Sequence, residues 1–461
     1  MMTAIERMAQ WVCGLTYAQL PDEVRRVATH AVVDTLGVMI AGSATPVATR
    51  ARGALGHLFS AGECDVPGVA AAAGAGGKKT CATAAAFVNG VAAHALDFDD
   101  NSYAGFVHAS AVIVPAALAV TQMAKRSGAD LVAAYVAGAE CELALAQALG
   151  RAPYDRGWWT TGLFGAIGAC AAACCALRLD ARQTAAALGL AAAGAGGTKA
   201  VFGTDAKALL VGQTAEAGVR AALLAQAGCS GPADALDGHT GLAALVNGGA
   251  FDFEALARLG AHGNAHWRLL QPGIDVKRIP VCLSSHAAVD ALRELIAEGA
   301  DPARIERVVC DVPPIVVRNL KYAEPVTPQQ AQFSLPFAIA ATLLLGDISL
   351  SSLTQAVVTR PDIVRAMHRV GMTSSARWAD PAMDTAAPEG AHVQVRMRDG
   401  RTLSRFRAMA NGSSRHPLDA QAIGRKFLEC ASRAMPEERA RRTLAALMKL
   451  GQHADTQTLF N

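Results

Sequence analysis

One stretch of the chain, residues 87–115, concentrates ionisable side chains inside an otherwise apolar, alanine-rich sequence. The ionisable residues are His94, Asp97, Asp99, Asp100 and His108. Buried charges are costly unless they are paired, and carboxylates and imidazoles that lie close together shift each other's pKa. The group is therefore a candidate for acid–base chemistry or for metal binding.

The phrase HALDFDD allows three interpretations. A helix running through His94 would make His94 and Asp97 neighbours on one face, and likewise Asp97 and Asp100. That arrangement suits an acid–base or substrate-orienting cluster, and it also suits a divalent metal held by one imidazole and carboxylates. The third interpretation is a polar helix end whose carboxylates cap the next turn. Spacing alone leaves the three open.

His108 stands directly before an apolar segment that is predicted to be a helix. A histidine at a helix start can have a lowered pKa, so that it stays neutral and serves as a base. A hydrogen-bonded core histidine is the alternative at this position.

A glycine-punctuated segment, Gly194–Gly212, carries two lysines, Lys199 and Lys207. Glycine-rich loops with lysines are typical of anion binding. The spacing is not that of a Walker A motif, because neither lysine follows Gly or precedes Ser or Thr. The segment predicts either a lysine that faces a small carboxylate or an ordinary solvated loop.

A second polar segment, Lys277–His286, opens the second half of the chain with the sequence KRIPVCLSSH. At a junction between domains it could contribute to a small-molecule site, although an ordinary linker has the same composition. Nothing near Cys282 indicates a depressed thiol pKa, so the sequence gives no support for a cysteine nucleophile.

Composition excludes several classes of function. The net charge is +3 and basic residues are spread along the chain, which gives no reason to expect nucleic acid or an anionic membrane as a partner. The 11 cysteines include no CxxC pair and predict reduced thiols in a cytoplasmic protein. Two uncharged stretches, 102–124 and 158–177, are rich in Ala and Gly and are interpreted as buried core helices.

The periodicity changes along the chain. Helical patterns dominate residues 3–270, whereas 305–312, 393–397 and 402–406 alternate as strands do, the last two joined by an Asp-Gly turn. Further helices are expected at 286–298, 328–346 and 361–370, and helical periodicity returns at 419–435 and 437–450. The prediction is a mainly α protein with a large all-helical domain, residues 1–271 plus 411–461, and an inserted α+β lid domain, residues 272–410.

Several phrases together resemble the MmgE/PrpD family, which includes 2-methylcitrate dehydratase, cis-aconitate decarboxylase and iminodisuccinate epimerase. The phrase HALDFDD followed by a histidine is the most specific of them, and together they cover essentially the whole chain. The matching segments are Val33–Gly42, Phe87–Asp100, His108–Ser110, Gly203–Gly218, Lys277–His286, Tyr322–Ser334 and Asp419–Cys430.

The resemblance implies a homodimer with a cofactor-free and metal-free site that acts on small di- or tricarboxylates. By position, Asp97 and His108 match the family's catalytic pair, with His108 as the proton carrier that Asp97 orients. Lys207 and Lys277 match its carboxylate-binding lysines, one from each domain, so that closure of the lid would complete the site. The residues expected to contact the substrate are Asn101, Ser102, Trp159, His286 and Tyr322.

The chemistry expected from the resemblance is proton transfer next to a carboxylate, by a lyase of the 2-methylcitrate dehydratase type. Epimerisation and decarboxylation are the alternatives within the family. Trp159 and Leu210 stand where the family often has histidines, and His-Ala-Ser replaces His-Pro-Ser, so the pocket is expected to be drier. A family member that only binds a carboxylate without catalysis is the alternative of another class.

Overall fold

The computed structural model describes residues 2–58, 62–68, 79–259 and 267–460 and divides the chain into two compact units. Unit 1 comprises Met1–Asp275 and Asp419–Asn461, and unit 2 comprises Val276–Leu418. The protein is 60% helical with few strands, which confirms the predicted mainly α class. Whether unit 2 acts as a lid stays a prediction.

Unit 1 is helical apart from one short antiparallel pair, β1 (Cys64–Asp65) and β2 (Lys79–Thr80), among its described residues. Its helices are α1 (Ala4–Gly14), α2 (Asp22–Gly42), α3 (Pro46–Ala54), α4 (Ala82–His94), α5 (Ala109–Met123), α6 (Gly128–Leu149), α7 (Ala152–Asp155), α8 (Thr160–Leu177), α9 (Ala181–Ala193), α10 (Asp205–Gln226), α11 (Leu242–Asn247) and α12 (Phe253–Ala257). After unit 2 the chain returns with α20 (Ala420–Ala431) and α21 (Glu437–Leu447).

Small residues let these helices approach closely. A Cβ added to Gly90 of α4 would lie 2.9 Å from the Cα of Gly212 in α10, and one added to Gly138 of α6 would lie 2.6 Å from the carbonyl oxygen of Gly168 in α8. Neither approach is open to a larger residue without a shift of backbone. The first contact matters most for the site, because it brings the end of α4 beside the start of α10.

The two uncharged stretches form α5 and α8, and both helices are buried almost throughout. By length and composition α8 could cross a membrane, but 89% of the relevant window is buried inside the protein. Buried core helices also pass this test of length and composition. The predicted burial of the helices in these two stretches is therefore confirmed.

Two distant family phrases meet where α20 packs on α2. The Lys426 ammonium lies 2.7 Å from Oδ1 of Asp34, and both side chains are buried. The neighbouring Phe427 fills the space beside Gly37, since a Cβ on that glycine would lie 3.0 Å from the ring. Lys426 also donates a hydrogen bond to the carbonyl oxygen of Phe98, at 2.8 Å, and so supports the loop that follows α4.

Unit 2 is built on a four-stranded sheet in the order β4-β3-β5-β6, with β3 and β4 parallel and the other pairs antiparallel. The strands are β3 (Ile305–Asp311), β4 (Val370–Thr373), β5 (Ala391–Met397) and β6 (Thr402–Arg407). Its helices are α13 (His286–Ala297), α14 (Pro314–Asn319), α15 (Pro328–Ala331), α16 (Leu335–Leu345), α17 (Gln355–Val358), α18 (Pro361–Met367) and α19 (Pro381–Ala386).

Two local predictions for unit 2 are wrong. The helix expected over 361–370 ends at Met367, and the chain continues at once into β4, which pairs with β3. The helix expected over 328–346 is two helices, α15 and α16, which Ser334 separates by capping the second. In both places tertiary pairing or a capping hydroxyl outweighs the local helical pattern.

Candidate functional site

The loop after α4 carries the acidic phrase, and its backbone differs from the predicted helix. α4 ends at His94, and Asp97 adopts a left-handed conformation with φ of 49°. Aspartate tolerates this region because its short polar side chain bonds locally. The helical neighbour relation proposed between Asp97 and Asp100 is therefore wrong, and the loop instead aims successive carboxylates in different directions.

His94, Asp97 and Lys207 meet where the end of α4 faces the start of α10. The Lys207 ammonium lies 2.6 Å from Oδ1 of Asp97 and 2.7 Å from Nε2 of His94. All three side chains are buried. A buried ion pair of this kind needs further hydrogen bonds to offset the loss of hydration, and the imidazole provides one.

His108 caps the start of α5, as its position in the sequence predicts. Its backbone N–H donates to Oγ1 of Thr161, at 3.0 Å. Its ring nitrogen Nδ1 lies 2.8 Å from the carbonyl oxygen of Asp100 and 3.0 Å from Oδ2 of Asp99. The predicted orientation of His108 by Asp97 is thus corrected, because the carboxylate that holds Nδ1 is Asp99.

Asp99 joins the two histidines. The same oxygen, Oδ2, lies 2.8 Å from Nδ1 of His94, and the two imidazole rings pack edge to face with centroids 4.7 Å apart. The continuous series is Asp97, Lys207, His94, Asp99 and His108. We name these five residues the imidazole relay.

The pKa shifts agree with this geometry. Burial lowers the pKa of His94 to about 4, with a further contribution from the Lys207 charge, so this imidazole is neutral near pH 7. Burial alone would raise the pKa of Asp99, but His94 and His108 outweigh it and hold that pKa well below its usual value. The relay therefore contains an ionised carboxylate between two imidazoles.

Asp100 faces away from the relay towards α5 and α6. Its carboxyl oxygen bonds Oγ of Ser110, which lies 2.8 Å from the hydroxyl of Tyr135. Burial raises the pKa of Asp100 to about 7, against the opposing effect of the Ser110 hydrogen bond. The side chain thus anchors the loop while the backbone carbonyl of the same residue positions His108.

Aromatic rings close one side of the relay. Trp159 is 1% exposed, and its ring centroid lies 5.5 Å from that of His94. The Lys207 ammonium lies 5.4 Å from the ring of Trp159 and 5.4 Å from that of Phe202, within range of a cation–π interaction. The expectation that Trp159 contacts a substrate stays a prediction, whereas its contact with the buried cation is part of the structure.

A metal ion is the alternative use of these side chains, because ligand atoms of His94, Asp99 and His108 all lie within 4.8 Å of one another. However, Nδ1 of His108 faces a carbonyl oxygen, which only accepts hydrogen bonds, so that nitrogen carries a proton. A protonated nitrogen cannot ligate a metal. We therefore interpret the three residues as a hydrogen-bonded group.

Two residues that were expected to contact the substrate take part in hydrogen bonds that hold the backbone. Ser102 donates from Oγ to the carbonyl oxygen of Gly273, at 2.7 Å. Asn101 forms a backbone bridge with Asp275, with N–H to oxygen distances of 2.9 and 2.6 Å. A direct role of either side chain in binding stays a prediction.

Three further predicted site residues belong to unit 2. Lys277 and His286 are buried there, and Nε2 of His286 lies 3.2 Å from the carbonyl oxygen of Val281. Tyr322 is half-buried, and its backbone N–H donates to the carbonyl oxygen of Phe333, at 3.3 Å. Their contribution to a site shared with the relay stays a prediction.

Sequence reasoning assigned His94 and Asp99 no role in the final site, although both belong to the relay. His94 was already part of the ionisable group. Its position at the end of a helix of small residues was a signal that could have identified it. The position of Asp99 had no such signal. Asp99 rather than Asp97 contacts His108 because the backbone is left-handed at Asp97, and no local sequence pattern predicts that conformation.

Comparison with known proteins gives two family-domain matches, the second of which also includes α20 and α21 of unit 1. Residues 6–254 match the MmgE/PrpD N-terminal domain, and residues 279–452 match the MmgE/PrpD C-terminal domain. The chain is 27% identical to the cis-aconitate decarboxylase of Mus musculus, with 98% of this chain and 92% of the relative covered. It is 27% identical to the cis-aconitate decarboxylase of Homo sapiens, with 96% and 90% covered.

A third relative is the cis-aconitate decarboxylase-like protein oryM of Aspergillus oryzae, which is 25% identical with 98% of this chain and 95% of the relative covered. The N-terminal domain match alone spans more than half of the chain, and the two matches leave only short segments uncovered. The predicted resemblance is thereby confirmed, and the chain belongs to the MmgE/PrpD family.

Proposed function

We propose that this protein is a cofactor-independent lyase that acts on a small di- or tricarboxylate by proton transfer at His108. The observation that supports the proposal is that the two ring nitrogens of His108 have different hydrogen-bond surroundings. Nδ1 is held by Asp99 and by the Asp100 carbonyl, whereas Nε2 makes no hydrogen bond to any described residue. The ring keeps 13% exposure, so Nε2 is the atom that can exchange a proton with a ligand.

Decarboxylation of an unsaturated tricarboxylate is the first candidate reaction. Relatives that cover nearly all of this chain are named as cis-aconitate decarboxylases. In such a reaction the bond to one carboxylate breaks and releases CO2, and the electron pair moves through the double bond to a neighbouring carbon. That carbon takes a proton, which the doubly protonated imidazolium form of His108 would donate from Nε2, leaving the neutral ring with its proton on Nδ1.

Dehydration, which the sequence suggested as the default, is the second candidate. It would use the same nitrogen as a base: Nε2 would remove the proton next to a carboxylate, and the substrate hydroxyl would leave as water after taking a proton from a second acid. The family resemblance implies that the hydroxyl of Tyr322 and the ammonium of Lys277 would serve either reaction, and this contribution stays a prediction. Homodimer formation and a cytoplasmic location also remain predictions.

A panel of carboxylates tested on the purified protein in deuterated water decides the reaction. The panel contains cis-aconitate, 2-methylcitrate and iminodisuccinate, and the products are identified by NMR together with CO2 release. We expect CO2 and one solvent deuteron in the product, and a His108→Asn variant slower by about 100-fold or more. His239→Asn is the control, because that histidine is exposed.

Two results would count against the proposal. Full turnover by His108→Asn would remove His108 from the mechanism. Absence of turnover, together with stabilisation of the fold by the same carboxylates, would favour the family member that only binds its ligand.

A further inference from the structure

Lys207 donates two hydrogen bonds inside the relay, and these fix the position of its ammonium. An ammonium has no lone pair, so it can only donate. It donates to Nε2 of His94 and to Oδ1 of Asp97, and its charge is matched by that carboxylate. The predicted clamp on a substrate carboxylate therefore competes with two buried partners.

The lysine determines which nitrogen of His94 carries the proton. Because Nε2 accepts from the ammonium, the proton of the neutral ring must be on Nδ1. Nδ1–H then points at Oδ2 of Asp99, at 2.8 Å, with the geometry of a charge-assisted hydrogen bond. The opposite tautomer would place two donors against each other at Lys207 and two acceptors at Asp99.

The same logic continues to His108. Asp99 accepts from both imidazoles through one oxygen, and the Asp100 carbonyl accepts from the second imidazole as well. Nδ1 of His108 faces only acceptors, so its proton stays there and all exchange occurs at Nε2. Each residue of the relay thus specifies the protonation of the next.

We infer that Lys207 and His94 are positioning residues, which act through Asp99 to keep the exchangeable proton of His108 on Nε2. The inference rests on the proposed function, in which His108 is the residue that touches the substrate. In this inference Lys207 does not bind the substrate. It is the first hydrogen-bond donor of the imidazole relay and so influences which ring nitrogens carry protons. The low pKa of His94, about 4, supports a neutral ring at this position.

Nitrogen-15 NMR of the substrate-free protein tests the inference without any assay of activity. Protein labelled at the histidine rings reports which nitrogen of each ring is protonated, and the variants His94→Gln and His108→Asn identify the two signals by their loss. We expect His94 protonated at Nδ1 and not at Nε2. A wild-type protein with His94 protonated at Nε2 would overturn the inference, whatever the panel of carboxylates shows.

The variant Lys207→Met removes the first donor. We expect His94 to keep its proton on Nδ1, which Asp99 still accepts at 2.8 Å, and to become protonated at Nε2 as well, because the Lys207 charge no longer opposes the second proton and Asp97 Oδ1, 3.9 Å away, becomes its acceptor. Lys125→Met is the matched control, since that lysine belongs to an exposed ion pair with Glu63. Unchanged His94 and His108 signals in Lys207→Met would overturn the inference.

The double variant Lys207→Met/Asp97→Asn covers the case in which the single variant does not fold. It removes both charges of the pair, so that no buried carboxylate is left unpaired. In either variant kcat should fall by about 100-fold while KM changes by less than about threefold. A loss confined to KM would indicate a substrate clamp and would contradict the inference.

Discussion

Two buried lysines of unit 1, Lys207 and Lys426, have almost the same surroundings. Each is 6% exposed, and each ammonium lies within hydrogen-bond distance of an aspartate, at 2.6 Å from Asp97 and 2.7 Å from Asp34. Each also lies near an aromatic ring, that of Trp159 for the first and that of Phe98 for the second.

The two lysines differ in the next partner. Lys207 bonds Nε2 of His94, whereas Lys426 bonds the carbonyl oxygen of Phe98. An imidazole has a second nitrogen and passes the arrangement of protons on to Asp99, but a carbonyl only accepts and ends the series. The same ion pair is therefore linked to an exchangeable proton in one place and only to the fold in the other.

Both lysines nevertheless act on one loop. Phe98, which Lys426 holds, stands between Asp97 and Asp99 in the sequence, so the structural pair fixes the backbone that presents both relay carboxylates. A buried lysine–aspartate pair is therefore not by itself evidence of proton transfer. In the function proposed above, the second partner of the lysine, an imidazole or a carbonyl, makes the difference.

The largest effect is expected from Asp99→Asn, which breaks the relay at its centre. The amide oxygen can still accept from both imidazoles, but the negative charge that stabilises a protonated His108 ring is lost. Turnover should fall by about 100- to 10,000-fold, with less change in the free energy of unfolding. Turnover within about threefold of the wild type would show that Asp97 is the partner that matters, as the sequence suggested.

Lys426→Met should act on the fold. It leaves Asp34 buried without its cation and should lower the free energy of unfolding by about 3–5 kcal/mol, measured by chemical denaturation. The double variant Lys426→Met/Asp34→Asn should recover most of that loss and keep turnover within about tenfold. If the double variant folded well but lost activity as Lys207→Met/Asp97→Asn does, the two pairs would not differ in function.

His94 gives the relay a pH-dependent contribution to stability. The folded pKa of His94, about 4, lies below the ordinary value near 6.5, so the unfolded state binds more protons between these values. Stability should therefore fall as pH drops through this window, by roughly 3 kcal/mol in total. His94→Gln, which can still accept and donate, should remove this part of the slope; an unchanged slope would mean that the imidazole does not cause it.

Glu142 has a buried carboxyl group with neither a lysine nor an imidazole as partner, because neither of its oxygens bonds a described residue. Burial raises its pKa well above the usual 4.5, so the charge costs stability as pH rises above that value. Glu142→Met should stabilise the protein by about 1–3 kcal/mol at neutral pH, with a smaller gain at acidic pH. Glu438→Met, at an exposed position, is the control, and destabilisation by Glu142→Met would contradict this interpretation.

The strands of unit 2 show what local pattern can predict. The alternating segments at 305–312, 393–397 and 402–406 form β3, β5 and β6, because period-two alternation is a property of each segment alone. β4 was missed, since Val370–Thr373 is short and becomes a strand only by pairing with β3. The helices that carry the site, α4, α5, α8 and α10, lie within residues 3–270, where helical periodicity was predicted for the same local reason.

The site was predictable in its residue types and less so in its contacts. Composition alone marked His94, the three aspartates and His108 as an unusual concentration of ionisable groups, and the glycine-punctuated segment Gly194–Gly212 marked Lys207. The partner of His108 was not predictable in this way. Asp97 and Asp99 are both aspartates two residues apart, and no pattern of spacing distinguishes them.

The sequence alone thus established the helical class and the family, and it marked the ionisable group that contains four of the five relay residues, because each follows from periodicity, composition or a quoted phrase. The tertiary structure determined which of these side chains form hydrogen bonds with each other. The close approach of Gly90 and Gly212 brings Lys207 to His94, and the left-handed turn at Asp97 aims Asp99 at both imidazoles. Hydrogen bonds depend on distance and direction between segments far apart in the chain, and only the packed fold supplies these.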